Sequence, residues 1–171
     1  MNVLFTVLVT FFAGMGAGLG TGFAGMSAAA VISPMLITFL HMDPYMAVGI
    51  ALSSDVLASA VSAYTYHKNK NLDIKNGLIM MASVLGYELK TAVGTSVFIM
   101  AFTALTGAVS HFMIGGAPNW FVWALCVVFT LLWARIAAVF ANKADPKTLN
   151  RATGIVLVVL GVVIMGFNLL T

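Results

Sequence analysis

Charge is what this chain has least of. Only 8% of its 171 residues are Asp, Glu, Lys or Arg, where a soluble domain carries about a quarter. That shortage excludes a water-coated globule. A single cysteine, Cys126, lies in an apolar run and excludes an internal disulfide; it reads as a small buried hydrophobe. No HExxH, CxxC, GxSxG or glycine-rich loop ending in Lys-Ser/Thr occurs, so nothing points to an enzyme, a resident metal or a cofactor. The start of the chain, Met1-Asn2-Val3-Leu4-Phe5, has no basic segment before its apolar run and no clear small-residue cleavage site. It is therefore expected to be part of a mature helix and not a signal peptide.

What is present is apolar surface: 61% of residues are hydrophobic and the mean hydropathy is +1.06. A bilayer tolerates such a surface, provided that backbone groups are satisfied within helices. At roughly 20 residues per crossing, the chain can supply about five or six helices. The fold class expected is all-α, a polytopic transmembrane helix bundle with interrupted helices. The net charge of +3 comes from Lys68, Lys70, Lys75, Lys90, Arg135, Lys143, Lys147 and Arg151. Most of these sit in short loops, which is a topology signal and no support for nucleic-acid binding. It places the loops at residues 67–75 and 142–151 on the cytoplasmic side of a plasma membrane.

The first apolar stretch, residues 3–40, is too long for one crossing; it holds Gly14, Gly16, Gly18, Gly20, Gly22 and Gly25, and then Pro34. A second runs over 44–66. A third begins near Leu72 and offers only about 15 residues, which reach roughly 22 Å. Further segments cover 91–114, 120–141 and 152–170. Sliding the chain by about 45 positions sets Leu40, Asp43 and Ala47-Val48-Gly49 against Leu85, Glu88 and Ala92-Val93-Gly94. This repeat divides the chain into two homologous halves, residues 1–84 and 85–171. The second copy lacks a glycine-rich first helix. Three crossings would also put the two basic loops on opposite sides, so either the third segment does not cross or a piece is missing between about Gly77 and Gly86. The second explanation is preferred.

Several residues could carry chemistry. Glycines two apart step around a helix by about 200° and occupy two faces. They predict either a helix broken near the midplane, with Gly20 and Gly22 exposing amides to an anion, or close packing through Gly14, Gly18 and Gly22. Gly94-Thr95-Ser96 and Ser53-Ser54 offer paired hydroxyls for an oxyanion, or else bond back to helix carbonyls. Asp55 is the one acidic residue well inside an apolar segment. Ionised there it costs at least ~2.5 to 3.5 kcal/mol unless it faces a cavity or a partner. It could accept a coupling proton, bind a cation, or pair structurally with Ser59 one turn away. His111 could donate to a substrate or stand as a boundary residue. Arg135 is expected to snorkel to the cytoplasmic surface.

The run Ala92-Val93-Gly94-Thr95-Ser96 through Gly107 to His111, then Gly115-Gly116-Ala117-Pro118-Asn119-Trp120, Ala134-Arg135, the stretch 142–151, and a last helix with Gly154 and Gly161, resembles the C-terminal half of the TauE/SafE family of sulfite exporters. The glycine-rich stretch leading to Val31-Ile32-Ser33-Pro34, with Ala47 to Asp55, resembles the first half. Two departures stand out: Gly49-Ile50-Ala51 against Gly94-Thr95-Ser96, and Thr130-Leu131-Leu132-Trp133 where relatives carry small residues. The resemblance implies two homologous halves and a longer chain than this one. It also implies outward transport of sulfite, a small organosulfonate or a related anion. The anion would be held by Gly20, Gly22, Ser53, Ser54, Gly94, Thr95, Ser96 and His111, with Asp55 as the coupling group and alternating access between the halves. The partners expected are that anion, the lipid bilayer and, in a homodimer, a second copy. A passive anion channel is the alternative; a membrane scaffold without transport is a third.

Overall fold

The computed structural model describes residues 2–73 and 89–170, and the described residues are helical with no strand. Six helices follow in order: α1 Val3–Ala24, α2 Ala29–Leu40, α3 Pro44–Lys68, α4 Leu89–Gly115, α5 Trp120–Lys143 and α6 Pro146–Leu170. The short third apolar segment and the inferred junction between 77 and 86 lie outside the described residues. Of the six, α1, α3, α4 and α5 are long and apolar enough to cross a bilayer, whereas α2 has 12 residues and reaches about 18 Å.

The helix ends follow from local sequence. Asn2, Asp43, Asn119 and Asp145 each accept a backbone N–H of the first turn they precede. Pro44 and Pro146 stand directly after two of these caps, where a missing N–H costs nothing. Each glycine in α1 costs about 1 kcal/mol of helix propensity, yet α1 runs unbroken through all of Gly14 to Gly22. The compensation is packing against α5. A methyl on Gly14 would meet Phe129 and Thr130, one on Gly18 the Ala134 amide and the Thr130 carbonyl, and one on Gly22 would meet Ala137 and Ala138. Of the two readings of these glycines, close packing is thus seen at 14, 18 and 22. The expected break comes later, at Gly25 with φ +64°, a left-handed conformation that glycine adopts without strain.

These same contacts make α1 and α5 parallel. By contrast α3 and α4 run antiparallel: Gly49 lies against His111 near the end of α4, and Gly94 against Tyr66 near the end of α3. The basic ends therefore meet. Asn71 Nδ2 donates to Asn142 Oδ1 at 2.7 Å, and Lys90 Nζ donates to the Asn142 carbonyl at 3.0 Å. Residues 67–73 and 142–151 thus share one end of the bundle, with two described crossings, α4 and α5, between them. The parity conflict read from the sequence does not arise among the described helices.

Small residues fill the interior, with Ala13, Ala17, Ala134, Ala137, Ala138 and Ala141 almost fully buried, while Phe102, Leu132, Ile136 and Val158 point outward. A large apolar exterior over an alanine-rich core suits a lipid solvent and not water.

Candidate functional site

The break between α1 and α2, residues 25–28, is where the predicted residues begin to converge. The Gly25 amide returns to the Thr21 carbonyl at 3.1 Å, and that of Met26 to the Gly20 carbonyl at 3.2 Å. Thr21 Oγ1 donates to the Met26 carbonyl at 2.9 Å, so the turn is tied to the end of α1. Helix α2 then starts at Ala29 with no capping side chain at Ala28 itself. Instead Ser27 Oγ accepts the Ala29 N–H at 3.3 Å and donates to Asp55 Oδ2 at 2.6 Å. Asp55 Oδ1 accepts from Ser59 Oγ at 2.9 Å, and the Ala28 amide also bonds to this carboxyl group.

Asp55 stands eleven residues after Pro44 and thirteen before Lys68, roughly 16 and 20 Å from the two ends of α3. It is fully buried, and among the described residues its partners are hydroxyls and an amide, with no cation. The half-crossing helix anticipated from the glycine run therefore exists, but it is α2, and its N-terminus opens at the depth of Asp55. The Ala29, Ala30 and Val31 amides at this end are already paired with Ser27 and Ala28, and the dipole there attracts negative charge. Here the protein's own carboxylate supplies it.

Ser96 of α4 reaches the same turn, donating to the Gly25 carbonyl at 3.2 Å while remaining exposed. Gly22 is joined through its carbonyl, which accepts the Tyr66 hydroxyl at 2.8 Å. Gly94 packs on Tyr66 and Asn71, and Thr95 Oγ1 sits 3.4 Å from the Asp73 amide, so both belong to the basic end of the bundle. Gly20 faces Met26 with room for a methyl group.

The remaining predicted residues lie elsewhere. Ser54 is buried and bonds back to the Ile50 carbonyl. Ser53 does the same at 2.8 Å and accepts the Trp123 indole N–H at 2.8 Å, on a different side of α3 from Asp55. His111 is at the far end, its ring 4.3 Å from that of Tyr45 and its Nδ1 3.2 Å from the Tyr45 carbonyl. The two hydroxyl pairs, Ser53-Ser54 and Thr95-Ser96, are thus not brought face to face.

Ser27, Ser62 and Tyr66 were not singled out from the sequence. Ser27 had a signal, since it stands two residues after a helix-ending glycine and two before the next helix. Tyr66 and Ser62 had a periodic one: Asp55, Ser59, Ser62 and Tyr66 are spaced i, i+4, i+7, i+11, one face of a helix. No cluster of three or more His, Cys, Asp or Glu able to hold a metal ion exists among the described residues.

Residues 10–86 and 77–164 match the family described as "Sulfite exporter TauE/SafE". Over 72 residues the chain is 36% identical to a protein of Bacillus subtilis (strain 168) described as "Probable membrane transporter protein YunE". That match takes in 42% of this chain and 26% of the relative, so the aligned part spans about a quarter of the relative's length. No solved structure matches.

Proposed function

Because the chain belongs to the sulfite exporter TauE/SafE family, we propose that it carries sulfite, a small organosulfonate or a related anion outward across the plasma membrane by alternating access. In this reading the protein has two related halves, residues 1–84 and 85–171, and its basic loops face the cytoplasm. The reciprocal seating of Gly49 on the end of α4 and Gly94 on the end of α3 supports related halves.

One observation carries the mechanism: a half-crossing helix begins at mid-depth with Asp55 on its N-terminus. Two anions cannot occupy that terminus together. A substrate anion takes the Ser27 hydroxyl, the Ala28 amide and the exposed Ser96 hydroxyl when Asp55 accepts a proton and gives up its place. Proton binding and anion binding are then linked, and rocking of α3 and α4 against α1 and α5 alternates access.

Flux of sulfite and of methanesulfonate into proteoliposomes tests this. Saturable uptake with exchange of labelled anion against its own gradient is expected, and Asp55→Asn should remove its pH dependence. Thr95→Val combined with Ser96→Ala should reduce flux; unchanged flux in that variant overturns the site. Unsaturable flux without exchange would identify a channel and overturn alternating access.

A further inference from the structure

The buried face of α3 below Asp55 holds an anomaly. Serine and threonine in a helix ordinarily bond back to a carbonyl one turn earlier, and on this helix Ser53, Ser54 and Thr65 do so. Ser59 and Ser62 do not. Ser59 donates to Asp55, and Ser62 Oγ, fully buried, has no hydrogen-bond partner among the described residues. A buried polar atom left unpaired is uncommon and calls for a water or a function.

Ser62 also lies in line. Asp55, Ser59, Ser62 and Tyr66 share one face, all four fully buried, over an axial distance of about 16 Å toward the basic end. Asp55 and Ser59 are bonded directly at 2.9 Å, and Ser62 stands roughly 4.5 Å further along the helix axis. One water, bonded at ~2.8 Å on each side, spans about 5.6 Å, more than the axial step from Ser59 to Ser62. At the outer end the Tyr66 hydroxyl is clamped on the Gly22 carbonyl, where α1 meets α3.

We propose that Ser59 and Ser62, joined by water, form a proton path from the basic end of the bundle to Asp55, and that the Tyr66–Gly22 hydrogen bond closes its outer mouth. This deepens the coupling role proposed for Asp55 and rests on it. A proton enters from solvent; each oxygen in turn accepts one on a lone pair and releases its own; the last passes to an Asp55 oxygen. The hydroxyls end chemically unchanged, with one proton gained by the carboxylate and one lost from solvent. Among the described residues, the ionisable groups on neighbouring elements do not intervene. Helices α1 and α2 carry none; α4 carries Lys90 and His111 near its two ends; α5 carries the buried Cys126, the exposed Arg135 and Lys143.

The full chain in lipid nanodiscs provides the test, read by difference infrared spectroscopy of the protonated carboxyl band and its rate of hydrogen–deuterium exchange. A pH-responsive band that disappears in Asp55→Asn is expected. Ser62→Val should slow its exchange by about tenfold, the effect of losing roughly one hydrogen bond along the path. Ser62→Thr, of equal bulk but with a hydroxyl, should exchange at the wild-type rate, and Tyr66→Phe should exchange faster. If the Asp55 band is present but Ser62→Val exchanges as fast as wild type, or Tyr66→Phe is unchanged or slower, the path is overturned while the coupling role stands. If no pH-responsive band is lost in Asp55→Asn, both fall.

Discussion

Ser27 Oγ donates to Asp55 Oδ2 at 2.6 Å, joining the turn before α2 to the middle of α3. The same oxygen accepts the Ala29 amide, so one hydroxyl relays between a helix terminus and a carboxylate. Ser27→Ala should therefore uncap α2 and remove a donor from Asp55 together. A loss of about 1 to 2 kcal/mol is expected from the cap, measurable as a lowered unfolding temperature in detergent. Ser27→Thr should restore most of it.

The pH dependence of anion binding has a definite sign in this arrangement. Binding that requires the protonated form of Asp55 is present at low pH and is lost as pH rises through the titration of that group. Methanesulfonate, whose charge does not change across the range, isolates the effect. Its affinity should fall with rising pH in the wild-type protein and be flat in Asp55→Asn; a wild-type affinity that rises with pH would refute the competition.

Glycines in α1 should separate into two classes. Gly18→Ala places a methyl 2.6 Å from the Ala134 amide, and Gly22→Ala places one against Ala137 Cβ. Forcing α1 and α5 apart should cost about 1 to 3 kcal/mol each. At Gly20 the nearest neighbours are Met26 atoms at 3.8 and 3.9 Å, so Gly20→Ala should be neutral or stabilising by up to about 1 kcal/mol through helix propensity. Thermal unfolding of the three variants side by side distinguishes the classes.

Asp145, outside the membrane-spanning part, is held below the usual carboxylate range by hydrogen bonds from Thr148, side chain first and then backbone. A carboxylate so depressed contributes to the start of α6 above its ordinary titration range, and the contribution is lost as pH falls through the lowered value. Thr148→Val should raise the Asp145 titration toward that of a free aspartate, as followed by NMR of the labelled carboxyl carbon. A titration unmoved in Thr148→Val would place the cause elsewhere.

Much of the architecture was legible in the residues. The boundaries of α3, α4 and α5 follow from apolar length and from the caps at Asp43 and Asn119. Asp55 was visible as the one acid deep in an apolar segment, and its pairing with Ser59 followed from i, i+4 spacing. Ser96 was also marked, and it reaches the α1–α2 turn. The glycines left two readings open, a broken helix or a packed one, because helix propensity speaks against five glycines while the α5 surface they fit is remote in sequence. Ser53 and His111 carried no sign of Trp123 or Tyr45 as their partners, for the same reason.

Composition and periodicity by themselves determined that the chain is a helical bundle in a membrane, because scarcity of charge and the length of each apolar run are local quantities. They also determined which carboxylate must be accounted for. Only the tertiary structure decided that Gly14, Gly18 and Gly22 form a packing seam and that Asp55 rests on the start of α2. Each of these depends on which helix faces which across tens of residues, and no local propensity encodes that. The matching of small residues to a close neighbour, and of a lone carboxylate to the nearest free amides and hydroxyls, does.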